Sequence, residues 1–364
     1  MNANMKKIPT RKLFQAIIVL VLQMLAVSLA QSQEAVPYLL STGQKLELVG
    51  FPVHQPALDT GMVQSVAGNL VEWTPSYTER PFGSALVSNQ EYYAEVVGPA
   101  NHPWLGHRLE IDETATRTRA DHRLLISPSP FNTFGMPNAA LVGGRLEVRS
   151  HLTVDGLWGE TVRKRILYGD EAAATFSFSI AAPGTSSGTR SVTASLPNPS
   201  NALEWIDSFV RATRVTQPLL IPPGTAVAVT FGQRRGSALG FTGERRTWQT
   251  ASPLQAGVNL LSYPYPNDLR LGLDWGSSRE GFRGLTRPSP SMDRIEILSG
   301  SSRQIFGPEA QPNGGIRWRQ LDPIFMSARW ATPASYLEII PVGEGFILRK
   351  GKVDSNHFFY PPKL

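Results

Sequence analysis

Gly184-Thr185-Ser186-Ser187-Gly188 has the G-x-S-x-G spacing of a serine-hydrolase nucleophile. That chemistry needs a strand before the serine and a helix after it, so that the hydroxyl is lifted on a strained turn. Ala174 to Ile180 supplies a strand, with Phe and Ile at alternate positions. Thr189 to Leu196 alternates as well, so the motif reads as a hairpin tip rather than a nucleophile. His102, His107, Glu110, Asp112 and Glu113, with His122 further on, form the densest set of potential metal ligands. On an alternating strand His107 shares a face with Leu109 and Ile111, while Glu110 and Asp112 point the other way. His107 is therefore expected to be a structural histidine, and neither metal nor cofactor is expected. No pair of carboxylates is singled out by spacing for acid–base work. Asp155, Asp170, Glu171, Asp268 and Asp274 fall in or near turns, where Asp caps backbone groups. The remaining prospect is aromatic. Trp73, Tyr77, Trp104, Trp158, Trp275 and Trp318 lie near loops or strand ends. Their faces would stack on sugar rings or dock another protein if exposed, and would be core if not.

The elements that must position these residues are short. The chain has 364 residues, enough for two domains, with 32 glycines and 29 prolines. This excess interrupts helices and favours turns and short strands. A hydrophobic fraction of 41% with 18% charged residues can supply a core. The absence of cysteine removes disulfides, thiolate catalysis, Cys-ligated zinc and iron–sulfur sites. Lys6, Lys7, Arg11 and Lys12 precede an apolar run from Leu13 to Leu29, which closes on Ser28-Leu29-Ala30. This is the pattern of a cleaved secretory signal over residues 1–30, leaving no stable transmembrane segment. Loss of its four basic residues lowers the net charge from +6 to +2. No nucleic-acid partner is expected, since no basic stripe with interleaved aromatics appears. Arg234-Arg235 and Arg245-Arg246 read as solvated pairs.

One phrase recurs. Gly257 to Pro266 is a short apolar run ending at an aromatic–proline step, answered by Ile340-Pro341-Val342-Gly343-Glu344-Gly345-Phe346-Ile347-Leu348. Leu48-Val49-Gly50-Phe51-Pro52-Val53 copies the opening, and Ile221-Pro222-Pro223-Gly224-Thr225-Ala226-Val227-Ala228-Val229 copies the close. Trp205 and Trp330 precede the two closing phrases. A strand cannot continue pairing past proline, and Pro-x-Gly turns the chain into the closing strand. The strand pairs from Met62 to Ile126 make the first copy longer. The best helix candidate starts at Asn201, an N-cap followed by Leu203, Ile206, Phe209 and Val210 on one face.

The second opening and close resemble a module of exported bacterial proteins with the pattern GxNLxSxP followed by PGxGF, with Val342 in place of its Pro. Gly61 to Asn69, Tyr92 to Gly98, Gly106 to Ile111 and Val148 to Thr153 resemble an uncharacterised exported family of verrucomicrobial type. The resemblance implies a β-rich exported protein and brings no activity with it.

The expectation is a mainly β chain of two β-sandwich or barrel-like modules with few short helices. After a flexible leader at 31–44, residues 45–245 form the first module, with a large insertion at about 61–150. Residues 246–364 form the second. The function expected is non-catalytic binding or assembly at the cell envelope or surface, with polysaccharide or another envelope protein as partner. The alternative is a secreted hydrolase of polysaccharide. Export could end in the periplasm, at the outer surface or outside the cell.

Overall fold

A computed structural model describes residues 34–40, 46–76, 80–168, 176–183, 185, 187–197, 203–208, 213–230, 237–273, 275, 281–299, 302–324, 329–351 and 357–360. The chain is mainly β, in antiparallel sheets. The first module is a five-stranded sheet. Its order is Glu204–Asp207, Thr189–Ser195, Ser177–Ala181, Val227–Thr230 and Leu46–Val49. The second is a six-stranded sheet. From one edge it runs Gly257–Ser262, Gly345–Lys350, Arg294–Ser299, Ser302–Ala310, Ile316–Gln320 and Tyr336–Leu337.

The two sheets have the same plan. In each, the opening strand lies at the edge and pairs with the closing strand, which pairs with the first strand of a hairpin. The register matches residue by residue. Phe178 sits opposite Val229 and Val192, as Ile295 sits opposite Leu348 and Phe306. Ala194 opposite Trp205 corresponds to Pro308 opposite Trp318. Trp205 is thus matched by Trp318; the expected match, Trp330, lies beyond that sheet strand. Gly224 and Gly343 both take φ of 79°, a left-handed turn suited to glycine. In each turn an amide reaches back at 3.1 Å, from Thr225 to Pro222 and from Glu344 to Pro341. Ile221 then pairs with Leu152 and Ile340 with Leu269. Six residues past those leucines stand Trp158 and Trp275, each buried in the core of its module.

The modules meet reciprocally. The Gly50 amide donates to the Gly343 carbonyl at 2.8 Å, and its counterpart Ser262 donates to the Gly224 carbonyl at 3.1 Å. Leu48 and Leu260, which correspond, share one small core cluster with Ala226 and Ala228. Equivalent residues meeting across a contact are the mark of a two-fold relation, here within one chain.

Between Pro52 and His151 the first module departs from the second. Residues 59–150 fold as a separate six-stranded sheet. Its order is Arg108–Ile111, Tyr92–Gly98, Arg145–Ser150, Asp59–Ala67, Leu70–Pro75 and Arg123–Leu125. It has its own core of Val63, Trp73, Tyr92, Ala94, Val96, Trp104, Leu109, Leu146 and Val148. The helix expected from Asn201 is not formed over its described part, because Glu204–Asp207 is a sheet strand and Trp205 enters the first core. Asn201, Phe209 and Val210 lie outside the described residues. Tertiary pairing overrides local propensity there. Among the described residues the α-helices are short, Glu113–Arg117 capped by Asp112 and Glu160–Leu167 following a π turn.

Candidate functional site

The other face of the inserted sheet is polar and buried. Alternation sends Tyr92, Ala94 and Val96 into its core and turns Tyr93 and Glu95 outward. Beside them the register brings Arg108 and Glu110 on one strand, and Glu147 and Arg149 on another. The segment joining the two modules covers this face. Arg246 pairs with Glu95 where both side chains are fully buried, and the Thr250 hydroxyl donates to the same carboxylate at 3.1 Å. The Arg149 guanidinium pairs with Glu147 and, at 2.6 Å, with Glu244. Arg108 donates to the Pro223 carbonyl at 2.8 Å, inside the first module's closing turn. Trp248 lies against both guanidinium groups, 5.2 Å from Arg246 and 5.6 Å from Arg149. Arg246 is therefore an interior residue and not solvated, as its place in a Gly-rich stretch had implied. Burial, more than the charges around it, pushes the Tyr93 phenol up to about 12. Burial lowers His54 well below the ordinary imidazole value, with Arg246 and Arg149 adding to the effect.

Where this face reaches its edge it opens into a cleft. Glu110 accepts from or pairs with His151, Oε2 to Nε2, at 2.6 Å, and the imidazole packs on the Tyr93 ring at 4.7 Å. Glu91, half-buried, takes the His151 amide on its carbonyl at 3.0 Å. Burial raises the Glu91 carboxyl above its ordinary range. His151 opposes that rise, while Glu110, Glu113 and Asp112 add to it. The cleft has a chamber of about 880 Å³ between the inserted sheet and the first module. Glu91, Glu110 and the loop Ser127 to Phe131 form one wall. The hairpin tip at Ala182, Thr185 and Ser187, the Arg190–Asp207 pair and the strap Gln217 to Leu220 form the other. A second chamber of about 820 Å³ shares Glu91 and Gln217 to Leu219 with the first, and adds His151, Asp155 and Trp205. Volumes of this order suit a small ligand.

The aromatic residues singled out by the sequence go elsewhere. Trp73 packs edge-on against Phe82 at 5.0 Å and Trp104 against Phe134 at 4.7 Å. Trp158 packs on Phe178, Trp275 on Phe346 and Trp318 on Phe282. All five are 0–2% exposed, so no ligand reaches their faces without opening a core, and none lines either chamber. Tyr77 lies outside the described residues. Short strands put most loop-flanking indoles back against a sheet, which is why loop proximity misled. His107 sits in the interior with its Nδ1 at 3.1 Å from the Thr133 hydroxyl, and His102 Nδ1 accepts the Trp104 amide at 3.1 Å. Among the described residues no group of three or more His, Asp or Glu could hold a metal ion. Thr185 and Ser187 stand in the turn between two antiparallel strands, so the elbow's required helix is missing; Ser186 is outside the described residues. Neither Glu91 nor His151 stands out as a site residue in the sequence. The available signal was alternation with acids and bases at every second position of Arg108 to Ile111 and Arg145 to Ser150, and Glu95 between apolar neighbours in Tyr92 to Gly98, which ordinarily marks a solvent face.

Set against family models, curated proteins and solved structures, the chain matches none.

Proposed function

We propose that the protein is an exported, non-catalytic binding protein of the cell envelope or surface, and that its ligand, a saccharide, sits in the cleft. One observation carries the reading: the two chambers adjoin along the strap Gln217 to Leu219, with hydroxyl, amide and carboxylate groups interleaved with Pro130, Phe131, Pro218 and Leu219. That mixture of flat apolar and hydrogen-bonding surface suits a sugar chain. The amino-terminal signal pattern and the resemblance to an exported family support export. A glycan-array screen of the mature chain tests the reading. Specific retention that is lost in Phe131→Asp supports it; no retention of any glycan contradicts it.

Glu91 and Glu110 border one chamber, and this favours a second reading, a polysaccharide hydrolase with Glu91 as acid. Release of reducing sugar that disappears in Glu91→Gln would support that reading over binding alone. Retention without release would count against it.

A further inference from the structure

From the charges of the cleft we infer that its saccharide carries a protonated amine, and that Glu91 is the group that holds it. The inference rests on the binding reading above and narrows it to one class of ligand.

The first chamber is bordered by four ionisable side chains, Glu91, Glu110, Arg190 and Asp207. Arg190 and Asp207 are closed on one another at 3.0 Å. Glu110 gives Oε2 to His151, and its side chain is 7% exposed. Its other oxygen, Oε1, is buried with no hydrogen-bond partner among the described residues. A buried acceptor left in that state calls for a donor. No ion pair reaches the Glu91 carboxylate among the described residues, and it borders both chambers. Among the described residues the second chamber brings Asp155 and the His151 already paired with Glu110, and no Lys or Arg. Among the described residues the chambers therefore carry more acidic than basic side chains, with the Glu91 carboxylate at their junction and the Glu110 acceptor in the wall of the first. A neutral hydroxyl satisfies an acceptor but leaves the charge. An ammonium neutralises it and has three donors to share. Like-charge repulsion from Glu110, Glu113 and Asp112 on Glu91 would be relieved by the same cation.

A lysine-bearing peptide would offer the same ammonium, but the walls do not suit an extended chain. The outer edge of the strand Glu204–Asp207 is already occupied: the Asp207 amide donates to Thr213 at 3.0 Å, and the Val215 amide to Trp205 at 2.8 Å. No free strand edge is left there for a peptide to pair with. Ser127, Ser129, Thr185, Ser187 and Gln217 instead line the chamber with side-chain groups that match ring hydroxyls.

Calorimetry of the full mature chain near pH 6, where the amine is protonated, tests this with a glucosamine hexamer, its N-acetylated counterpart and trilysine. The expected result is tighter binding of the glucosamine hexamer than of the acetylated one by at least about tenfold. Glu91→Gln should erase the difference, Glu91→Asp should keep part of it, and the exposed-helix variant Thr114→Ala should keep all of it. Equal binding of the two hexamers overturns the amine inference and leaves saccharide binding standing. Binding of trilysine as tight as the glucosamine hexamer overturns the saccharide class. Failure of every probe, together with an empty glycan array, overturns the binding reading itself.

Discussion

Arg246 and Glu95 meet where neither side chain touches solvent, and Thr250 completes the contact. Desolvating two charges is tolerable only while both are present, so removing one leaves the other buried and unpaired. Arg246→Met is expected to lower stability by ~3–5 kcal/mol in urea unfolding, and Arg246→Met with Glu95→Gln to recover part of that loss. His54 contributes a pH dependence of known sign. Its imidazole is held well below 6.5 when folded, so below that value the unfolded chain takes up a proton that the folded chain refuses. Stability is therefore lost as pH falls through this window, by at most ~1.4 kcal/mol per pH unit from this group. Urea titrations at several pH values should show a shallower acid slope for His54→Gln. Almost none of this was legible beforehand. An Arg-Arg pair in a Gly-rich stretch carries no local sign that one member lies against a glutamate from a distant strand.

At the scale of elements, the opening and closing phrases were legible because they are local. Pro stops one strand, Gly in a left-handed turn starts the next, and alternation marks both. What was not legible was their mutual packing. A Cβ added at Gly50 would lie 2.8 Å from the Glu344 carbonyl oxygen and 2.9 Å from the Ser262 Cβ. One added at Gly345 would lie 2.5 Å from the Ala226 Cβ and 3.1 Å from the Leu48 Cβ. These glycines answer to the other module, not to their own backbone. Gly345→Ala is expected to cost ~1–3 kcal/mol through overpacking, read as a lowered melting temperature. Gly68→Ala, with open space around it and φ of 62°, should cost only the ~1–2 kcal/mol of a left-handed residue. The misassigned pair Trp205 and Trp330 has a similar cause. Distance to the closing phrase ignores the strand register, and only the register identifies Trp318 as the counterpart.

At the scale of the molecule, two sheets of one plan pack about a local two-fold, and a third sheet is inserted into the first of them. The duplicated parts have apolar cores and reciprocal contacts, which explain their stability and nothing more. The inserted sheet is held differently, by buried charge pairs against the joining segment, and its edge forms one wall of the cleft. Glu91, Glu110 and His151 stand where that polar face meets the chambers, so a single surface both docks the insertion and borders the cleft. The sequence exposed the insertion as extra length between repeated phrases, yet the cleft required knowing which face of it was turned inward. On the binding reading, ligand sits between the inserted sheet and the first module. Hydrogen–deuterium exchange of the mature chain, with and without the tightest glycan from the array, tests it most directly. Slowed exchange confined to residues 89–91, 127–131, 185–190 and 217–220 is the predicted result. Protection elsewhere, with those segments unchanged, would contradict it.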